Sequence, residues 1–271
     1  MKLNTKSILA CAALSTLLFS CQKQDKAPAT TSVNGISSEV IAQIAAKGFA
    51  TEGAYAVEGG YVVEGDIFLS HSDVKNLVLG PDLRVGDEEQ YHTTNLIKNL
   101  PRTITVSIDG LDAMWYAATD TALARYNALG MRLSFQRVAS GGQIVLVGKE
   151  LDPGVLGTSG GFPDANGNPP SPITFTTRAG AFGSNPNVKW LATIVAHEIG
   201  HTIGFRHTDY KNRKYSCGGL PIGEGKAGVG AIWIPGTPTK GDPNSWMLAC
   251  TDGTDRPFNA NDVIALNYLY H

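Results

Sequence analysis

Three of the chain's six histidines fall within eleven residues, at His197, His201 and His207. No other feature restricts the fold as much. Positions four apart share one face of a helix, so the imidazoles of His197 and His201 point to the same side and can take one ion. Gly204 follows where such a helix would end, and glycine adopts the positive φ that turns a chain back. That turn lets His207 return as a third ligand. Three neutral imidazoles leave a fourth position open, the arrangement of a catalytic rather than a structural zinc site. Glu198 adjoins the first ligand and can reach a water at the ion without binding the ion, so it is the expected general base. A surface helix that merely carries histidines would not explain three His, one Glu and one Gly in this register.

The rest of the chain is read around this helix. Of 271 residues, 42% are hydrophobic, enough for one full-sized core plus a smaller appended segment. Val40 to Phe49 has helical periodicity, Tyr61 to Leu69 reads as one extended stretch, and Ser72 to Leu77 as a short helix. A polar connector covers Gly86 to Gln90. A second segment starts near Asn95. Strands are expected at Ile104 to Ile108, Leu133 to Val138, Gln143 to Val147 and Ile173 to Thr177. Between the first two, Trp115, Ala118, Ala122 and Tyr126 recur at three- and four-residue steps, which predicts a helix over Asp112 to Leu129 closed by Gly130. The histidine helix spans Asn187 to Ile203. Regular structure is sparse from Asp209 to Asn244, and Asn259 caps a last helix over Ala260 to Tyr270. This order reads as α+β.

The N-terminus reads as a targeting segment over residues 1–20. Lys2 and Lys6 supply the positive end, and Ile8 to Phe19 is an apolar run too short to span a bilayer comfortably. It ends in Leu18-Phe19-Ser20-Cys21, which resembles the lipobox of bacterial lipoproteins, in which the Cys (here Cys21) carries the lipid. An ordinary secretory signal with an incidental Cys is the plainer alternative. Gln22 to Ser32 then serves as a flexible tether. Cys217 and Cys250 form an even pair in an exported chain, so a disulfide is the default, contributing roughly 3–4 kcal/mol on the chain-entropy model. The alternative is a pair of zinc thiolates, although they lack a C-x-x-C spacing. The net charge of −2 and the lack of a basic run give no reason to expect nucleic acid.

The extended pattern H-E-x-x-H-x-x-G-x-x-H over residues 197–207 resembles that of the metzincin zinc peptidases. That clan carries a Met-containing turn beneath the zinc, and Ser245-Trp246-Met247-Leu248 matches it in position, with Met247 as the turn residue. The His-Glu-Ile-Gly-His run, the Phe258 to Tyr270 ending and the lipoprotein signal are most similar to the bacterial dual-action HEIGH metallopeptidases, with astacins as better-known relatives. The resemblance covers residues 95 to 271. It implies a zincin-like five-stranded twisted sheet with a helix pair above an irregular C-terminal subdomain. Two positions depart from astacins. Thr208 stands where they carry Glu after the third His, and Ala249 stands where they carry Tyr after the turn Met, so no Tyr inherits that ligand and oxyanion role. Glu64-Gly65-Asp66-Ile67 resembles the F-x-G-D-I motif of astacin propeptides, with Val63 for Phe. There the Asp caps the zinc, whereas a Gly-Asp pair is also commonly just a turn.

These readings together predict an exported zinc endopeptidase with one catalytic Zn2+ and protein or peptide substrates. Residues 21–90 would be a tether and propeptide and 91–271 the catalytic domain. The expected form is a monomer, anchored to the outer membrane or cell surface only through its lipid until a cut near residue 90 releases it. A zinc-bearing binding module and a scaffolding lipoprotein are the competing classes. Glu198 argues against the former, since a structural site needs no base. Substrate is expected along an edge strand, with Ile144 to Val147 and Ile173 to Thr177 as the candidates.

Overall fold

A computed structural model describes residues 32–76, 90–184, 186–220, 223–225 and 230–271. The signal, Cys21, most of the tether and the connector at 86–89 lie outside them. The first segment starts with a two-stranded hairpin, β1 (Ser32–Val33) and β2 (Ile36–Ser37), and α1 (Ser38–Ala46), capped by the Ser37 side chain. Next come β3 (Tyr55–Val57), β4 (Gly60–Val63) and β5 (Ile67–Ser70), an antiparallel sheet in that order, then α2 (His71–Asn76). The single extended stretch expected over Tyr61 to Leu69 is therefore a hairpin. Its turn holds Glu64 at φ 53° and Gly65 at φ 95°, a reversal that apolar content alone does not reveal. Ile36, Ile44, Phe49, Val63, Ile67 and Leu69 give the segment a small buried core of its own.

The larger part begins with β6 (Tyr91–His92), β7 (Arg102–Asp109), α3 (Ala113–Asn127), β8 (Leu133–Arg137), β9 (Ile144–Lys149), β10 (Gly157–Thr158) and β11 (Ile173–Thr176). It continues with α4 (Val188–Thr202), α5 (Lys214–Cys217), β12 (Ile232–Trp233) and α6 (Ala260–Tyr270). Five strands form one mixed sheet in the order β10-β11-β9-β7-β8. All its neighbouring pairs are parallel except β10 with β11. Alternation decides which side is buried: Ile104, Val106, Leu133, Phe135, Ile144, Leu146, Ile173 and Phe175 all point into one core. This is the mixed α+β, metzincin-like architecture that the sequence predicted.

Helices α3 and α4 pack on that core. Each starts where a polar side chain caps it, Asp112 accepting from Met114 N and Asn187 from Lys189 N. The expected face of α3, Trp115, Ala118, Ala122 and Tyr126, is buried. Its small residues let the two helices approach, and the Tyr126 hydroxyl donates to Ala196 O at 2.7 Å. Every residue of α4 from Leu191 to Thr202 is buried, the mark of a helix enclosed on all sides. The sheet and α3 cover one side, and the C-terminal chain covers the other.

Helix α6 holds that C-terminal chain in place. Asp262 closes a capping box with Asn259. Its Oδ1 also accepts from Gln90 Nε2 at 2.7 Å and Ser245 Oγ at 2.8 Å, and its Oδ2 from the backbone N–H groups of Trp246 and Asn259. At the far end of α6 the Tyr270 hydroxyl donates to Ile203 O at the end of α4. Because both Asp262 oxygens face donors, an amide at this position must direct its NH2 at one of them. Asp262→Asn should lower stability by roughly 2–3 kcal/mol, the cost of leaving buried donors unmet. A urea unfolding curve with an unchanged midpoint would contradict this role.

Candidate metal centre

Helix α4 supplies His197 and His201 one turn apart. Gly204 then ends the helix at φ 105°. A Cβ at this position would lie 2.6 Å from Leu96 Cδ2, so both conformation and space require glycine. Beyond it the chain runs back along β6: Thr93 N donates to Gly204 O at 2.8 Å and Arg206 N to Tyr91 O at 2.9 Å. This return carries His207 to the other two. The three Nε2 atoms stand 3.2, 3.2 and 3.3 Å apart.

Each Nδ1 faces only acceptors. That of His197 meets Trp246 O at 2.9 Å, that of His201 meets Phe205 O at 2.8 Å, and that of His207 meets the Glu224 carboxylate. Every ring can therefore keep its proton on Nδ1 and offer an Nε2 lone pair to an ion at the centre. Lone pairs at this spacing repel unless a cation lies between them. Tetrahedral zinc with Zn–N bonds of about 2.05 Å needs ligand atoms about 3.3 Å apart, which is the spacing found here. Asp66 completes the set, its Oδ2 standing 2.9, 3.4 and 3.9 Å from the Nε2 atoms of His207, His197 and His201. Among the described residues this is the group whose ligand atoms converge tightly enough for a metal ion.

Electrostatics favour the same conclusion. Burial lowers the His201 pKa to about 4, so that ring is neutral. Burial acts on His207 in the same direction, but Asp66 and Glu224 outweigh it and hold His207 well above the usual imidazole range. The pocket thus draws positive charge to this ring. Burial would raise Asp66, yet the three histidines keep it well below the usual carboxylate range. Glu198 lies beside His197, buried, with Oε2 lacking any hydrogen-bond partner. Burial first, and then the charge of Asp66, push it well above the usual range.

Met247 lies under α4. A Cβ on Gly200 would meet its Sδ at 2.5 Å, so glycine in the middle of the motif is what lets the methionine turn approach the helix. Thr208 N donates to Met247 O at 2.7 Å, and Thr208 Oγ1 pairs with Ser245 Oγ. Ala249 offers no side-chain donor, in line with its departure from astacins. Cys217 and Cys250 are joined, S–S 2.14 Å, which takes both sulfurs away from any metal and ties α5 to the chain after Met247. A cavity of about 460 Å³ adjoins the centre, lined by Leu156, Trp190, Ile194, Leu248 and Arg213 together with His197, Glu198 and Asp66.

Three buried charges were not singled out from sequence. Arg206 Nη2 donates to Glu64 Oε2 at 2.6 Å and lies 3.4 Å from Glu224 Oε2. All three side chains are fully buried. Burial pushes Glu64 up to about 7, against the opposing charge of Arg206. A charge enclosed between Phe205 and His207 was the one available hint. Both expected substrate strands need correction. Ile144 to Val147 lies in β9, paired on both sides, and Ile173 to Thr176 is covered by β10. Strand β10 is the edge. Just beyond it the first segment already pairs with Ser159: Phe68 N donates to Ser159 O at 3.3 Å and Ser159 N to Asp66 O at 3.0 Å.

The sequence profile of the dual-action HEIGH metallo-peptidases matches residues 61–270. Two solved structures of myroilysin are also similar, both at 18% identity. The first match spans 45% of this chain and 57% of that one, with a TM-score of 0.34. The second spans 65% and 86%, with a TM-score of 0.40. No curated protein matches the chain.

If His207 is a ligand delivered by the turn and not by the helix, His207→Ala should lower bound metal per chain strongly and leave the far-ultraviolet helical signal unchanged. Metal content equal to that of the wild type would place the third ligand elsewhere.

Proposed function

The chain belongs to the dual-action HEIGH metallopeptidase family, and we propose that it is an exported zinc endopeptidase held latent by its own first segment. The observation that carries this reading is the convergence of three Nε2 lone pairs beside a buried carboxylate, Glu198, that is not among them. His197, His201 and His207 would hold the ion. When bound, zinc supplies Lewis acidity, polarising the scissile carbonyl and lowering the pKa of a water in its open position. Glu198 then acts as general base: its unpaired Oε2 accepts the proton of the attacking water and afterwards delivers it to the leaving amine.

Substrate backbone would pair with the edge at β10 and Ser159, next to Glu198, once the first segment has left it, and the adjoining cavity would take a side chain. Its Leu156, Trp190, Ile194 and Leu248 walls favour an apolar one. In the present arrangement that edge is occupied by residues 66–68, and Asp66 stands where a fourth ligand would. A carboxylate tethered in the same chain has a high effective concentration at the ion and can exclude water from it. The buried Glu64–Arg206 pair anchors the tether. A cut in the connector near Gly86 to Gln90 would let the segment leave. With Cys21 lipidated in the cell envelope, the same cut would free residues 91–271 from the membrane as a monomeric enzyme.

Casein hydrolysis by the full-length and trimmed chains tests this directly. Trimming near residue 90 should activate the enzyme strongly, and 1,10-phenanthroline should abolish the gain. Full activity in the uncut wild type would overturn latency. Asp66→Ala should raise the activity of the uncut form, and no change would reduce Asp66 to a turn residue. Glu198→Gln in the trimmed enzyme should keep its zinc and lose roughly 10²–10⁴-fold in rate, the usual worth of a general base. Near-normal turnover would refute that role.

A further inference from the structure

The three imidazoles are not held alike. His197 and His201 give their Nδ1 protons to backbone carbonyls, which are neutral and fixed by α4 and the turns around it. His207 gives its proton to a carboxylate, Glu224 Oε1. Glu224 comes from the irregular chain before β12, and its own N–H donates to Tyr210 O at 2.7 Å. Its side chain is fully buried. A buried carboxylate is costly unless it is paired and hydrogen-bonded, and a third carbonyl would have satisfied the same Nδ1 proton at lower cost.

Two guanidinium groups face this carboxylate besides the His207 ring. Arg206 Nη2 lies 3.4 Å from Oε2 and Arg213 Nε lies 3.7 Å from Oε1. Arg206 is itself enclosed, with Tyr210 and Phe162 against its guanidinium at 4.8 and 5.7 Å. The two Glu224 oxygens thus meet an Nδ1–H donor and two guanidinium groups, the surroundings that suit a carboxylate anion.

We propose that Glu224 is the positioning residue of the metal centre, an ionised carboxylate that fixes the ring plane and Nδ1–H tautomer of His207 and strengthens its Nε2 as a ligand, with Arg206 as its counter-ion. The inference rests on the reading of His207 as a metal ligand. An imidazole hydrogen-bonded to a carboxylate is a more basic ligand than one bonded to a carbonyl, and losing such outer partners commonly costs 10–100-fold in metal affinity. Glu224 touches neither the ion nor the substrate, so its effect must pass through His207.

The test is zinc affinity of the full-length chain, measured by competition with a chromogenic chelator. Glu224→Gln keeps the shape and the acceptor but removes the charge. It should weaken zinc by about tenfold or more. In the His207→Ala background, where there is no ring to position, the same substitution should have no further effect. Wild-type affinity in E224Q, or an equal loss in the H207A background, would overturn the proposal. If H207A itself binds zinc normally, the ligand reading fails and this inference falls with it. If H207A weakens zinc and E224Q does not, only this inference fails. A second measurement needs no variant at Glu224. In the zinc-loaded wild type the His207 Nδ1 proton, assigned by its disappearance in H207A, should resonate further downfield than those of His197 and His201. An equal shift would contradict a carboxylate partner.

Discussion

Three imidazole lone pairs aimed at one point repel one another, and only a cation between them turns that repulsion into attraction. Their spacing of 3.2–3.3 Å is kept by acceptors behind each ring, not by the rings themselves. Those acceptors come from places distant in sequence: the methionine turn, the end of α4, and the chain before β12. Helix α6 holds the methionine turn through Asp262 and holds the end of α4 through Tyr270. A large share of the C-terminal part thus keeps three nitrogens in register for one ion. This explains why α4 is enclosed on every side and why glycine is required at 200, where Met247 comes closest.

The first segment adds two carboxylates from one tight turn. Asp66 reaches the histidines, and Glu64, two residues earlier, reaches Arg206, which in turn faces Glu224. Positive φ at Glu64 and Gly65 directs the two side chains to separate partners. The same turn lies along Ser159, beside the edge strand. The histidine cluster, the buried arginine and the sheet edge are therefore all engaged by a segment with a small core of its own.

Local signals in the sequence were sufficient for the helices other than the four-residue α5. Asp112, Asn187 and Asn259 cap where their side chains suggest, and the Trp115, Ala118, Ala122, Tyr126 face is buried as its period requires. The histidine spacing, with Gly204 after it, brought the three rings together on paper for the same geometric reason that it does in the fold. Strand neighbours were not legible. A short apolar run such as Ile144 to Val147 shows that it is buried but not that it is paired on both sides, and two-residue β10 has no pattern at all. Nor could the Glu64–Arg206–Glu224 cluster be read. Its members lie 142 and 18 residues apart, and buried charges follow no period. The hairpin at Glu64 was missed because apolar residues on both sides of the turn look like one strand.

The central claim is that one zinc ion lies at the meeting point of these groups. Anomalous diffraction from crystals of the full-length chain at the zinc edge locates it directly. The account predicts a single peak about 2.1 Å from Nε2 of His197, His201 and His207, with Asp66 Oδ2 as the fourth neighbour and Glu198 outside bonding distance. A zinc peak elsewhere, or one at this point bonded to Glu198 in place of a histidine, would contradict it.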